Sequence, residues 1–206
     1  MSGLSNQNEQ DFINHNLRPG QTAVVAPVQM NISLHTADPG EDGQLAEVIG
    51  GGYSRALITG PAVLFGAPAN REIISTDVVT FNSMPAVTVT HVGFWRVTGS
   101  TAADFLASDA LSPPVAVPAG QPARFPAGSL SVKFNNLHYT NYLAHAWLNF
   151  IFRSVAYTRP SGHTHQIYAG DPTGAGTAIG GATPQAIAFG APAVSCLLYT
   201  SPSPRD

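Results

Sequence analysis

The stretch Val28-Gln29-Met30-Asn31-Ile32-Ser33-Leu34-His35, directly after Pro27, decides the fold class. Apolar and polar side chains alternate along it, a period of two that is typical of a β-strand with one buried face. The apolar side consists of Val28, Met30, Ile32 and Leu34, and the polar side of Gln29, Asn31 and Ser33. The stretch therefore predicts a half-buried strand.

Outward from this strand, short apolar runs recur between Pro and Gly residues, of which the chain has 17 and 20. Short strands separated by turn signals favour an antiparallel sandwich. Ser5 is placed to cap a short helix over 6–16. We therefore predict a mainly β, antiparallel β-sandwich-like module with a short N-terminal helix. Its further strands are predicted at 55–58, 78–81, 86–97, 103–107, 115–117, 123–125 and 129–134. Within them Gly93 indicates a bulge or a close backbone approach.

The order of elements then repeats. A second helix is predicted over 140–152, and Pro160 precedes a strand at 163–169, followed by a strand near 186–189. Pro160 and Asp171-Pro172 lie 133 residues after Pro27 and Asp38-Pro39. Gly180-Gly181 lie 130 residues after Gly50-Gly51. We interpret 1–136 as one module and 137–195 as a partial second copy of it, with a helix and strands.

Residues 196–206, CLLYTSPSPRD, resemble a translated transposon-type sequencing adapter. We therefore leave them out of the fold prediction. On this interpretation the natural protein continues beyond Ser195, and the single cysteine, Cys196, is not part of it.

Composition argues against several classes of function. The net charge is −3 and only 10% of residues are charged, with no basic patch for nucleic acid. No apolar stretch approaches the ~20 residues that span a bilayer, and the polar N-terminus does not resemble a signal peptide. One cysteine cannot form an internal disulfide. We predict neither nucleic-acid binding nor membrane insertion.

Two groups of residues could bind a metal ion. Asp38, Glu41 and Asp42 could offer oxygen atoms to Ca²⁺, but Asp before Pro more often starts a turn. His163 and His165 lie on one face of a predicted strand, but the sequence places no third ligand. His35 and His91 are expected to be half-buried, hydrogen-bonded residues. We predict no metal site.

Glycine motifs and acidic residues give no catalytic signature. Gly50-Gly51-Gly52 lacks the Gly-Lys-Ser/Thr of a phosphate loop, and turn chemistry explains it better. No pair of carboxylates suggests glycoside hydrolysis. We therefore predict no catalytic residue and no cofactor. Arg55 is expected to pair with Asp38 or Glu41. Five aromatic residues could form a binding platform but are more typical of a core: Phe94, Trp95, Tyr139, Tyr142 and Trp147.

Four motifs, in order, are similar to a family of tail-fibre proteins of tailed bacteriophages. They are LHTADPG at 34–40, GGGYSR at 50–55, THVGFW at 90–95 and AGSLSV at 127–132. The similarity covers about residues 4–135, and 141–193 resembles the first half of another copy. The motif residues singled out are Asp38, Pro39, Gly40, Gly50, Gly51, Gly52, Tyr53, Arg55, His91, Gly93, Trp95, Asp171 and Pro172.

The resemblance implies a non-enzymatic structural role in a virion assembled in the bacterial cytoplasm. It implies other virion proteins as partners, a homo-oligomer, and contact with the host cell surface as a further option. The family brings no catalytic or cofactor residues. Two other functions stay open: a capsid-decoration or host-surface (glycan) binding module, and a hydrolytic tail enzyme.

Overall fold

The computed structural model describes residues 3–18, 24–96, 101–134 and 140–158, and the backbone of four short strands within 163–187. The chain divides into two compact units. The first comprises Met1–Glu9 and Val24–Thr158, and the second Gln10–Ala23 and Arg159–Asp206. The predicted features at Tyr139, Asp171, Pro172, Gly180-Gly181 and 196–206 lie outside the described residues.

Helices and strands alternate irregularly along the chain. The helices are α1 (Asn6–Leu17), α2 (Pro61–Leu64) and α3 (Asn141–Arg153), with a 3₁₀ turn at Ala102–Asp104. The strands of the first unit are β1 (Gly3–Leu4), β2 (Gln29–His35), β3 (Ala56–Thr59), β4 (Glu72–Ile74), β5 (Val79–Phe81), β6 (Val87–Arg96), β7 (Phe105–Val117), β8 (Ala123–Phe125) and β9 (Ser131–Lys133). Those of the second are β10 (His163–His165), β11 (Tyr168–Ala169), β12 (Thr177–Ala178) and β13 (Gln185–Ile187).

The first unit is built on a five-stranded antiparallel sheet in the order β1-β7-β6-β2-β3. Two antiparallel ribbons, β4–β9 and β5–β8, accompany the sheet. In the second unit β10 pairs with β13 and β11 with β12. The predicted class, mainly β with antiparallel pairing and a short N-terminal helix, is confirmed.

Strand β7, the second strand in the sheet order, differs from its prediction. The sequence predicts two strands, at 103–107 and 115–117, because the Pro113-Pro114 pair indicates a break between them. In the structure they are the two ends of one strand, β7. The ladder to β6 skips these prolines: His91 pairs with Ala110, and Val89 pairs with Val115. Proline is tolerated in a sheet at such an irregularity because no ladder hydrogen bond is required there.

The second half of strand β2 is buried on both faces, not on one as predicted, whereas Gln29 and Asn31 on the polar face of its first half are half-buried. Ile32 and Leu34 are fully buried on one face, and Ser33 and His35 on the other. On the apolar face, Ile32 pairs with Phe94 of β6. The Phe94 ring meets the rings of Phe65 and Phe152 edge to face, at centroid distances of 5.8 and 6.0 Å.

We expect Phe94→Ala to lower the free energy of unfolding by about 3–5 kcal/mol, because a buried ring is replaced by a cavity. The exposed Leu57 of β3 gives a matched control, and Leu57→Ala should change stability by no more than about 0.5 kcal/mol. Chemical denaturation followed by circular dichroism measures both. Equal effects of the two substitutions would contradict this assignment of the core.

Candidate functional site

A chain of hydrogen bonds runs across the polar face of β2 and β6. Trp95 Nε1 lies 2.7 Å from Ser33 Oγ, and Ser33 Oγ lies 2.7 Å from His35 Nε2. His35 Nδ1 lies 2.7 Å from the carbonyl oxygen of Leu45. Ser33, His35 and Trp95 have no exposed surface. We call this set, with the Leu45 carbonyl, the Ser33–His35–Trp95 chain.

The partners fix the direction of every bond in the chain. The Leu45 carbonyl can only accept, so Nδ1 of His35 carries the proton and donates it. The Nε2 atom of neutral His35 then accepts the Ser33 hydroxyl proton, and Trp95 donates its indole N–H to Ser33 Oγ. Burial lowers the pKa of His35 below its ordinary value of 6.5, which favours this neutral form.

Two glycines make room for the chain. A Cβ atom on Gly93 would lie 2.6 Å from Ser33 Oγ and 3.0 Å from His35 Nε2. A Cβ atom on Gly43 would lie 2.5 to 2.6 Å from the rings of Phe105 and Trp95. The predicted close backbone approach at Gly93 is therefore present, whereas Gly43 was missed by the sequence analysis.

A second cluster covers Trp95 from the loop side. The Arg55 guanidinium carbon lies 4.0 Å from the Trp95 ring centroid. Arg55 Nε and Nη2 donate to the two carboxylate oxygens of Glu47 at 2.8 and 2.6 Å. Tyr53 donates its hydroxyl to Glu47 at 3.2 Å and accepts from the Leu34 N–H at 2.9 Å. The cluster thus joins the loop before β3 to the backbone of β2.

Arg55 pairs with Glu47, a partner that the sequence analysis did not name. Glu47 is brought beside β2 by a bridge to His35. Burial alone would raise the pKa of Glu47, but the hydrogen bonds and charge of Arg55 lower it overall. Glu47 is accordingly an anion in the fold.

The remaining motif residues shape turns. Asp38 accepts the Gly40 N–H at 2.9 Å, as an aspartate that starts a turn does. Gly50, Gly51 and Gly52 all have positive φ angles, and a Cβ atom on Gly51 would lie 2.5 Å from the backbone nitrogen of Pro85. These glycines therefore serve backbone geometry.

His91 lies beside the Ser33–His35–Trp95 chain but is not one of its members. It pairs with His35 across the strands, and its Nδ1 atom lies 2.9 Å from Thr90 Oγ1. Trp95 and Trp147 are buried in the core as expected, whereas Tyr142 is 78% exposed.

The arrangement has the atoms of a Ser–His pair but not the geometry of a nucleophile. Ser33 Oγ accepts from Trp95 and donates to His35, and Ser33 has no surface that a substrate could touch. A catalytic serine needs access to the reacting carbon atom. The Ser33–His35–Trp95 chain instead provides hydrogen-bond partners for polar groups that β2 would otherwise bury without partners.

One family model, that of podophage GP4 fiber I protein gp80, matches residues 3–133 and 138–201. The chain belongs to this fiber I protein family. No curated protein sequence matches the chain. The second matched segment extends to residue 201, past the start of the adapter-like stretch, so the origin of that stretch stays a prediction.

For this fiber I protein, the structure brings four of the predicted motif residues to one place. Gly93, Trp95, Tyr53 and Arg55 meet around β2, and the Asp38 turn leads to Leu45. The sequence analysis missed Ser33 and Glu47 as members of the site. Ser33 was placed on the polar, solvent side of β2; its only signal was its position two residues before His35. Among the described helices, none is long and apolar enough to cross a membrane.

We expect the Glu47–Arg55 pair to contribute a coupling energy of about 1–2 kcal/mol, since it is bidentate and mostly shielded from solvent. A double-mutant cycle with Glu47→Gln and Arg55→Gln measures it. The Glu72–Lys133 pair, 3.5 Å apart with Lys133 54% exposed, is the control. Its coupling should stay below about 0.5 kcal/mol, and similar values for the two pairs would contradict the prediction.

We also expect stability to fall in weak acid. The folded pKa values of His35 and His91 lie below the ordinary 6.5, so the unfolded chain takes up protons first. Their contribution is fully present above pH 6.5 and is lost as the pH falls through the folded pKa values.

Urea denaturation at a series of pH values, on the parent protein and on His35→Gln, tests this prediction. The variant should lose part of the slope below pH 6.5, and His91→Gln allows the contribution of His91 to be subtracted. An unchanged slope in His35→Gln would show that the buried histidine is not responsible.

Proposed function

We propose that the chain is a non-enzymatic structural component of a podophage virion, associated with the tail or tail fibre. The observation that carries this proposal is the fiber I family match over residues 3–133 and 138–201. We further propose that it acts as a homo-oligomer in contact with other virion proteins. The full burial of Ser33 and His35 supports a structural rather than a hydrolytic use of the site.

We propose in addition that the chain carries two copies of one module, the first at 1–136 and the second beginning near 137. The helices support this. Residues 141–152 of α3 lie 135 positions after residues 6–17 of α1. Ser5 Oγ accepts from the Asn8 N–H at 3.1 Å, and Thr140 Oγ1 accepts from the Leu143 N–H at 3.3 Å. The two helices thus start with the same type of cap.

The ends of the two helices also correspond. Arg18 donates to Asn14 at 2.9 Å in α1, and Arg153 donates to Asn149 at 2.7 Å in α3. These are equivalent residues, 135 positions apart. An arginine bound to an asparagine four residues earlier is a local choice that chance would rarely place twice in one register.

The strands after the helices pair in the same register. Met30 pairs with Ile58 and Ile32 with Ala56 in β2 and β3. His163 pairs with Ile187 and His165 with Gln185 in β10 and β13. The residues of β10 lie 133 positions after those of β2, and the residues of β13 lie 129 positions after those of β3. A loop shorter by a few residues accounts for the difference.

A host-surface or capsid-decoration module is the second candidate, and exposed apolar side chains favour it. Val28 and Leu57 are 73% and 55% exposed, and Val63 is 71% exposed. The carbonyl of Val28 accepts from the Gly60 N–H, and the carbonyl of Gly60 accepts from the Val63 N–H. These side chains therefore lie near the outer edge of the sheet, where a partner protein could bind.

We expect antibodies against this chain to label the tails of purified particles of the phage that encodes it, in negative-stain electron microscopy. Label on the capsid would favour decoration instead, and particles without label would overturn the virion role. A peptide tag in the exposed turn at Gly120, where an added Cβ atom would meet nothing within 4 Å, gives a matched control: an antibody to the tag should give the same pattern.

Light scattering on the intact purified chain gives its mass in solution. A trimer or larger assembly supports the oligomeric fibre role, and a monomer overturns the homo-oligomer part of the proposal.

A further inference from the structure

The helix α3 belongs to the second copy by sequence and hydrogen bonding, yet it is part of the first compact unit. This observation rests on the two-copy organisation proposed above. It raises the question of what α3 does for the copy that precedes it.

The apolar side of α3 closes the core of the first unit. Trp147, Ile151 and Phe152 have no exposed surface. The Phe152 ring meets Phe65 at 5.7 Å and Phe94 at 6.0 Å, edge to face in both cases. Edge-to-face pairs of buried rings stabilise a contact beyond the area they bury. Without α3, the Phe94 ring of the five-stranded sheet would lose its edge-to-face contact with Phe152 and keep the one with Phe65.

Polar contacts hold both ends of α3 against the first unit. At the start, Arg71 donates its backbone N–H to His145 Nε2 at 3.0 Å and its side-chain Nε to Asn141 Oδ1 at 2.7 Å. At the end, Arg153 Nε donates to the carbonyl oxygen of Phe65 at 3.0 Å. The Phe65 segment is therefore bound by both the ring of Phe152 and the guanidinium of Arg153.

A buried contact fixes the middle of the helix. Trp147 Nε1 donates to Asn8 Oδ1 at 3.1 Å, and Asn8 in turn donates to the carbonyl oxygen of Leu106 in β7 at 3.0 Å. Asn8 is fully buried. The helix thus contacts a buried polar group of the first copy as well as its apolar face.

The two equivalent helices differ where α3 docks. Phe150, Ile151 and Phe152 of α3 occupy the positions of His15, Asn16 and Leu17 in α1. The cap and the Asn–Arg pair are kept, and the positions of Trp147 and Phe152 are apolar in both helices, with Phe12 and Leu17 in α1. The apolar face of α3 is wider than that of α1 because Phe150 and Ile151 replace His15 and Asn16.

We propose that α3 is a docking element through which the second copy completes the first. Its binding surface is the apolar face around Phe65 and Phe94 together with Arg71 and Asn8, and its ligand is the amphipathic helix that begins the following copy. The first copy then reaches full stability only when the next copy has been made. Consecutive copies are joined by burial of a shared core, not by a linker alone.

A cleavage experiment on the full chain tests this proposal. A protease site is inserted within residues 135–139, the folded protein is cut, and the mixture is passed over a size-exclusion column. We expect the 140–206 piece to elute together with the 1–134 piece. Separation of the two pieces without any substitution would overturn the proposal.

Substitutions identify the surface involved. Phe152→Ala should speed dissociation of the cut pieces about 100-fold or more, and Phe152→Leu about tenfold. Tyr142→Ala, on the exposed side of α3, should leave dissociation unchanged. If Phe152→Ala does not fold before cleavage, the Phe152→Leu and Tyr142→Ala proteins still decide the question, and equal rates in those two would overturn the proposal. The assay uses no virion, so its outcome is separate from that of the antibody labelling.

Discussion

The fold depends on one strand, β2, whose second half has no solvent-facing side. Once both faces of β2 are buried, its polar side chains must find partners inside the protein, because an unpaired buried polar group costs about 1–3 kcal/mol. Ser33 and His35 hydrogen-bond to each other, Ser33 also bonds the indole of Trp95, and His35 also bonds the Leu45 carbonyl of a loop. The loop that supplies the carbonyl and the glycines that leave space are consequences of that requirement.

The same constraint explains why the motifs form a set. Tyr53 donates nothing to β2 but accepts its Leu34 N–H, and Arg55 covers the ring that anchors Ser33. Glu47 holds both of these side chains at once. Three further stretches of sequence, 45–47, 53–55 and 93–95, thus meet around β2. Three of the four resemblance motifs, those at 34–40, 50–55 and 90–95, supply residues to this cluster.

The sequence predicts the elements better than their environment. Alternation correctly located β2, and helical spacing located α3 to within a residue at each end. Alternation has the same form whether the polar side faces water or a saturated hydrogen-bond chain, so the burial of Ser33 could not be predicted. The sequence analysis missed Glu47 as a member of the site for another reason. Its pairing with Arg55 depends on a loop that returns to β2, and local sequence patterns do not encode such a return. The prolines of β7 suggested a break where the sheet has an irregularity.

The chain's two tryptophans occupy different structural roles. Trp95 donates to Ser33 beneath Arg55, and Trp147 donates to Asn8 at the docked helix. Both indoles are buried and hydrogen-bonded, so each has a defined optical environment of its own. Intrinsic fluorescence therefore provides two native reporters, one for closure of the loop over the sheet and one for the seating of the helix. Replacing either tryptophan by phenylalanine isolates the other signal, and no external dye is required.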